Sequence, residues 1–364
     1  MKVKKFLGIC LTAVMLMVLV SACGSNNSDN GNKEASSSPQ ASSSESAAPS
    51  GDAGGKKKFA IIFKNTGNPY GEKEMEGYKK AIEELGYEAI LKAPDQPTAE
   101  AQITMIDELI SQKVDALAIV GNDPDALQPA LEKAMNAGIK VLSLDSAVNA
   151  DSRMVHVNQA DPELIGRTLI QGVVEMIGGS GEIAILSATS QATNQNAWIE
   201  WMKKELEDPK YADVKLVKVA YGDDLRDKSV SETEALLKSY PNLKGIIAPT
   251  TVGIAAAGKV LTDKGLKGKV QLTGLGLPSE MAEYIESGVC PWMYLWNPLD
   301  VGYLSGYAAD ALVKGTITGK VGDKLTAGTL GEKEVIADGE GTQIMLGAPF
   351  KFDASNIAEW KAVY

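Results

Sequence analysis

Between Ser187 and Lys204 the chain reads SATSQATNQNAWIEWMKK. Gln191, Thr193, Asn194, Gln195 and Asn196 crowd amides and hydroxyls into a turn between an apolar run and an amphipathic segment. A side-chain amide both donates and accepts, so such a cluster suits a neutral polyhydroxylated ligand better than an ion. The same residues could simply cap a helix. The binding reading gains because comparable side chains recur where other apolar runs end: Lys64, Asn122, Asp145, Pro249 with Thr250 and Thr251, and Trp296 with Asn297. Together they supply a cation, a carboxylate, amides, hydroxyls and a large aromatic. A sugar needs this combination, polar partners around its hydroxyls and a flat apolar surface against its C–H face. Taken singly, Asp145 could close a turn and Trp296 could fill a core. Asp123, followed by Pro124, reads as a helix cap and stays outside the candidate site.

Catalytic and cofactor chemistry finds little support. His156 is the sole histidine and lies in a strand pattern, which suits a structural role, and no Ser-His or Cys-His pairing with a positioned acid is visible. One histidine and one cysteine in the folded part do not make an ordinary zinc site. Gly274-Leu-Gly276 lacks the third glycine of a dinucleotide loop, and no GxxxxGK[ST] occurs. No metal and no cofactor are expected. A sugar hydrolase would need two opposed carboxylates, and Asp145 is the one carboxylate expected in the crevice.

The chain has 364 residues, 44% of them hydrophobic, and a formal charge of −11. Such a chain can bury a large core, and its acidity argues against a nucleic-acid partner. Lys2, Lys4 and Lys5 precede an apolar stretch from Phe6 to Val20, too short for a comfortable membrane span and fitting an export signal over residues 1–22. Ser21-Ala22-Cys23-Gly24 resembles a bacterial lipobox, with Cys23 the lipidated residue. Residues 23–57 are mostly Ser, Asn, Gly and Ala, a flexible tether with a reach of about 30 Å. Cys290 then has no disulfide partner in the folded part, and stability must come from the core.

From residue 58 short apolar runs alternate with amphipathic segments. Strands are expected near 59–63, 87–91, 116–120, 140–144, 154–157, 182–186, 214–220, 244–248, 270–275 and 292–295, with helices between them. This alternation means parallel sheets in βαβ units. So many strands exceed one comfortable sheet, which predicts two doubly wound α/β lobes. In open sheets of this kind ligands bind beyond the carboxyl ends of the strands, where the polar residues above fall.

FAIIFKNTGNPYG, LSLDS, VNQADPELIG, TNQNAWIEWMK and IIAPTT, in this order, resemble the periplasmic sugar-binding proteins of the ribose-binding type. The resemblance covers about residues 58–364 and is strongest to receptors for rhamnose and for autoinducer-2. It implies a type I periplasmic binding fold, two lobes joined by a three-crossover hinge. The expected first lobe is 58–160 plus 298–325, the second 161–297 plus 326–364. It further implies a non-enzymatic, monomeric lipoprotein on the extracytoplasmic face of the membrane. Such a protein captures a small sugar and delivers it to an ABC permease and its ATPase, or reports it to a sensor. In the autoinducer-2 receptors a lysine, an aspartate, an Asp-Gln pair, a proline and a small residue line the pocket. Carried over, these positions are Lys64, Asp145, Asn194 with Gln195, Pro249 and Thr251. Asn194 replaces an aspartate, Thr251 replaces an alanine, and Trp296-Asn297-Pro298 stands where Trp-Asp is common. Losing the carboxylate at 194 removes a charge-assisted acceptor. That favours a deoxyhexose such as rhamnose, with autoinducer-2 as the alternative and a lipid-anchored sugar hydrolase as the alternative from another class.

Overall fold

A computed structural model describes residues 56–364. The expected signal peptide, Cys23 and the tether as far as residue 55 lie outside the described residues. The first elements are β1 (Lys58–Ile62), α1 (Pro69–Glu84), β2 (Glu88–Lys92), α2 (Ala99–Ser111), β3 (Ala116–Ile119), α3 (Pro124–Asn136), β4 (Lys140–Leu144) and β5 (His156–Asn158). There follow α4 (Pro162–Ile177), β6 (Gly181–Ser187), α5 (Thr193–Leu206), β7 (Val214–Tyr221), α6 (Arg226–Ser239), β8 (Leu243–Ala248), α7 (Thr251–Asp263), β9 (Gln271–Gly274), α8 (Pro278–Glu286) and β10 (Trp292–Leu295). The chain ends with α9 (Pro298–Lys314), β11 (Lys324–Thr326), β12 (Glu332–Asp338), β13 (Gly341–Met345), β14 (Phe350–Asp353) and α10 (Ile357–Trp360).

β1 shows why the inner strands read as continuous apolar runs. Phe59 and Ile61 pack into one cluster with Tyr78 and Leu142, while Ala60 and Ile62 pack into another with Ile106 and Leu131. A strand covered by helices on both faces has no polar side to show. The first sheet runs β11-β12-β13-β5-β4-β3-β1-β2, and the second runs β7-β6-β8-β9, all parallel. In both, the chain starts in the interior and reverses direction of travel, at β1/β3 and at β6/β8. Those switch points open a crevice at the strands' carboxyl ends.

The chain passes between the lobes three times: after β5 at 159–161, after β10 at 296–297, and after β13 at 346–349. Two of these segments run side by side, with Leu346 N donating to Asn158 O at 2.8 Å and Gly347 N to Gln159 O at 3.3 Å. The third delivers α9 back to the first lobe, where it lies on α1 with backbones nearly touching. A Cβ on Gly302 would sit 1.8 Å from the Glu74 carbonyl oxygen, and one on Gly77 would sit 1.9 Å from that of Leu299.

The tail departs from the expected division at residue 326. β13 pairs in parallel with β5, setting Gln343 against His156 and Ile344 against Val157, and β12 pairs antiparallel with β13. Residues 332–345 therefore extend the first sheet. They bury Val335 and Ile344 completely and cover an edge that β5 would otherwise expose. From the tail, β14 pairs with β10 and α10 packs on α8 in the second lobe. There Phe352, Trp360 and Tyr364 meet edge to face.

Candidate functional site

The strand ends are held in place before any ligand chemistry begins. Gln102, fully buried on α2, donates to Phe63 O at 3.2 Å and Val120 O at 2.8 Å, and accepts from Asn122 N at 3.0 Å. The Asn122 amide donates to Lys64 O at 2.9 Å and to Thr98 O at 3.4 Å. Together they tie the ends of β1 and β3 and aim Lys64 into the crevice. Its ammonium lies 3.6 Å from Asp145 Oδ2, with both side chains about 7% exposed. On the other lobe, Gln195 Oε1 accepts from Ser187 Oγ at 2.7 Å and Ala188 N at 2.8 Å, fixing the loop after β6.

Two carboxylates face the cavity from opposite lobes, Asp145 after β4 and Asp224 after β7. Both adopt left-handed backbone, with φ of +55° and +54°. That conformation costs a non-glycine residue about 1 kcal/mol or more and concentrates at functional sites. Thr250 Oγ1 donates to Asp224. Burial pushes the Asp145 carboxyl above the usual range. Lys64 and the Asn194 amide pull it back, and Asp224 adds to the rise.

The cavity is partly open, and its empty volume, adjoining solvent included, is about 360 Å³. Its polar groups come from Lys64, Asn68, Asp145, Asp224, Thr250 and Thr251, and its apolar wall from Phe63, Trp198, Pro249, Leu275, Leu295 and Trp296. The indoles of Trp198 and Trp296 lie 5.8 Å apart, tilted at 60°. Trp296 Nε1 donates to Tyr70 Oη at 2.7 Å, and Tyr70 Oη donates to Glu74 Oε1 at 2.8 Å. A small chamber with paired acceptors, one ammonium, two threonines and aromatic walls can hold a neutral polyol by its hydroxyls and its C–H face together.

Lys64, Asp145, Pro249, Thr251 and Trp296 are thus brought together. Asn122 and Gln195 stand behind the wall, as above. Asn297 caps α9, its Oδ1 accepting from Leu299 N at 3.1 Å. Asn194 lies between the lobes. Its amide donates to Asp145 Oδ1 at 3.0 Å, and its oxygen accepts from Ser146 Oγ and Gln195 N, each at 2.8 Å. Asp123 caps α3 as its sequence implies.

Thr250, which stands with Pro249 and Thr251 at the end of β8, lines the cavity as well, whereas the sequence reading missed Asp224, Trp198, Tyr70 and Asn68. Asp224 was findable, because Gly222-Asp-Asp224 follows β7 as Asp145 follows β4. Trp198 reads as a core residue from its spacing and is one, at 2% exposure, yet it also lines the cavity. The expectation of a single crevice carboxylate is corrected: β7 ends beside the same cavity and adds Asp224. His156 is buried against Ser143 Oγ at 2.9 Å, and burial, with Arg153 nearby, drives its imidazole down to about 3, so it stays neutral. Cys290 is wholly buried and burial pushes its thiol up, which leaves it unreactive. Among the described residues no group of three His, Cys, Asp or Glu side chains could hold a metal ion.

Residues 59–317 match the periplasmic binding protein domain. A crystal structure of an ABC transporter solute-binding protein from Clostridium phytofermentas with bound L-rhamnose is 54% identical. It covers 85% of this chain and 99% of its own, with a TM-score of 0.83. LsrB from Clostridium saccharobutylicum in complex with AI-2 is 24% identical, covers 83% of this chain and 99% of its own, and has a TM-score of 0.79, a likeness of fold. The D-apiose import binding protein of Actinobacillus succinogenes is 28% identical over 52% of this chain and 60% of its own length.

Proposed function

The chain belongs to the periplasmic binding protein domain family, and within it we propose that it captures a neutral deoxyhexose, L-rhamnose or a close relative, for an ABC importer. The observation that carries this reading is the pair Asp145 and Asp224, carboxylates from opposite lobes facing one chamber beside Trp198 and Trp296. A carboxylate accepts from two neighbouring hydroxyls at once. A sugar held by both lobes stabilises the closed form, because only that form offers both sets of contacts. Lys64 donates to a ring or hydroxyl oxygen. Phe63, Leu275 and Leu295 add apolar lining suited to the methyl group that a 6-deoxy sugar carries in place of a hydroxymethyl. The L-rhamnose bound to the 54% identical relative supports the same choice.

The protein acts as a receptor and not as a hydrolase. Asp145 already serves Lys64 and Asn194, and Asp224 serves Thr250. Rhamnose incubated with the protein should be recovered unchanged; turnover that disappears in a D145N/D224N double variant would instead make it an enzyme. In the same reading Cys23 carries a lipid that holds a monomeric receptor on the extracytoplasmic face, beside a permease and its ATPase. Cys23→Ala should move the protein into the aqueous phase on detergent partitioning, with sugar affinity intact.

Calorimetry and thermal shift with L-rhamnose, D-ribose, D-xylose and autoinducer-2 test the ligand. At a hundred times its dissociation constant, a true ligand adds about 2.7 kcal/mol of stability. Tight binding of autoinducer-2 without any rhamnose signal would replace this reading with the signal-receptor one.

A further inference from the structure

Glu74 lies on α1 facing α9 and has no exposed surface. Packing alone would favour leucine there, since a carboxyl in such a place must lose its hydration. One oxygen accepts from Tyr70, and the other, Oε2, has no hydrogen-bond partner among the described residues. Burial raises the Glu74 carboxyl far above its ordinary range, and the charge of Asp145 raises it further, with Lys64 and the Tyr70 bond opposing. What the geometry supplies at this place is an acceptor, Oε1, set 2.8 Å from the Tyr70 hydroxyl.

The direction of the chain of bonds is fixed by chemistry. An indole N–H can only donate, so Tyr70 Oη must accept from Trp296 Nε1. Its single proton is then committed to Glu74 Oε1. Trp296 meets the Tyr70 ring perpendicular, at 6.5 Å between centroids. It also stands in the crossover between β10 and α9. The chain of bonds thus runs from the cavity wall, through a crossing segment, to the buried contact of α1 with α9.

We propose that Glu74 is a positioning residue for the binding site: acting through Tyr70, it fixes the plane of Trp296 against the ligand without touching the ligand itself. This rests on the reading of the cavity as a sugar site. An acceptor at 74 is all that the role requires. Glutamine satisfies it and leucine does not. With leucine, the Tyr70 proton loses its partner, the tyrosine must turn to find another, and the indole loses its fixed acceptor.

The variants E74L, E74Q and Y70F, each alone and combined with W296F, test this. E74L should melt at or above the wild-type temperature, as an apolar residue in an apolar place. It should nonetheless bind L-rhamnose about tenfold more weakly, the change produced by roughly one lost buried hydrogen bond. Y70F should weaken binding at least as much, and E74Q should restore near-wild-type affinity. In the W296F background, E74L and Y70F should add little, because the indole N–H they act on is gone. The Trp296 indole N–H resonance of the ligand-free protein should shift in E74L and Y70F and stay near its wild-type position in E74Q. Wild-type affinity in a folded E74L, or equal losses with and without W296F, would overturn the proposal. If E74L fails to fold, Y70F decides it on the same two readouts. If the wild type does not bind rhamnose, the sugar assignment fails, and the indole resonance still decides whether Glu74 positions Trp296.

Discussion

Asn194 Nδ2 lies 3.0 Å from Asp145 Oδ1, and the bond joins the first turn of α5 in one lobe to the end of β4 in the other. Ser146 Oγ returns a bond to Asn194 Oδ1 at 2.8 Å, and Thr193 Oγ1 donates to Ala147 O at 2.9 Å. Two consecutive residues of one lobe therefore grip three consecutive residues of the other. Asp145 belongs to this grip and to the cavity wall at once, so a ligand that orients Asp145 also orients the latch.

Removing the latch should act on release. Asn194→Ala deletes two of the three side-chain bonds and should weaken L-rhamnose about tenfold, mostly through faster dissociation. Asn194→Asp should do more harm, since it brings a second carboxylate beside Asp145 where both cannot readily ionise. Its affinity should be lower at pH 8 than at pH 5, because protonation of one of the pair relieves the repulsion. Stopped-flow dissociation rates and calorimetry at the two pH values check this. An unchanged dissociation rate in Asn194→Ala would remove the latch.

Asp224 is expected to be a direct ligand contact. Asp224→Asn keeps the shape and removes the charge, and Asp224→Ala removes the acceptor altogether. Losing a charge-assisted hydrogen bond in a closed cavity costs about 1.5–3 kcal/mol, so rhamnose affinity should fall about 10–100-fold in the alanine variant and less in the asparagine variant. Equal affinity in wild type and Asp224→Ala, measured by calorimetry, would assign the residue to Thr250 alone.

The fold was legible because strands buried on both faces leave an unmistakable apolar run, as at Phe59–Phe63 and Gly245–Ala248. The lining of the candidate cavity was half legible. Lys64 and Asp145 follow such runs directly, and the rule that ligands lie beyond strand ends picks them out. Asn122, Gln195 and Asn297 obey the same rule, yet they turn back to satisfy backbone groups. Nothing in the one-dimensional pattern separates an amide that faces a ligand from one that braces a loop. Trp198 and Tyr70 escaped notice because helical spacing marks them as core, and at a crevice a residue can be both. The placement of β12 and β13 was hidden for another reason: two short, half-exposed strands carry no mark of which open edge they will cover.

The contact of α4 with α5 predicts a response to acid. Glu205 is buried on α5 and accepts from Arg167 Nη1 at 2.5 Å, Tyr211 Oη at 2.8 Å and Gln171 Nε2 at 3.2 Å, with the Lys210 ammonium 3.3 Å away. Burial pulls this carboxyl upward, but the bonds from Arg167, Gln171, Tyr211 and Lys210 outweigh it and hold the group down at about 2. A carboxyl held lower in the folded than in the unfolded chain stabilises the fold above its unfolded value, near 4.5, and loses that contribution as the pH falls toward about 2. Glu205→Gln should therefore be less stable than wild type at pH 7 by about 1–3 kcal/mol, with the gap closing between pH 4.5 and 2. Urea denaturation across that range tests it. A gap that stays constant would show that Glu205 remains charged, or neutral, throughout.

The approach of α9 to α1 predicts a link between packing and binding. At Gly302 a methyl group would meet the Glu74 carbonyl oxygen at 1.8 Å and the Tyr78 nitrogen at 2.8 Å. These are backbone atoms, which cannot rotate aside, so Gly302→Ala must push the two helices apart. Overpacking of this kind costs about 1–3 kcal/mol or more. The helices that separate carry Tyr70 and Glu74 on one side and follow Trp296 on the other, so rhamnose affinity should fall along with stability. Gly315→Ala supplies the control. It caps the far end of α9 with φ of +73° and has nothing within 4 Å of the added carbon. That change should cost about 1–2 kcal/mol through its left-handed backbone alone and leave rhamnose affinity unchanged. Thermal melting and calorimetry on both variants separate the two effects. If Gly302→Ala lowers the melting temperature but binds rhamnose like Gly315→Ala, the helix contact supports the fold without setting the geometry of the cavity.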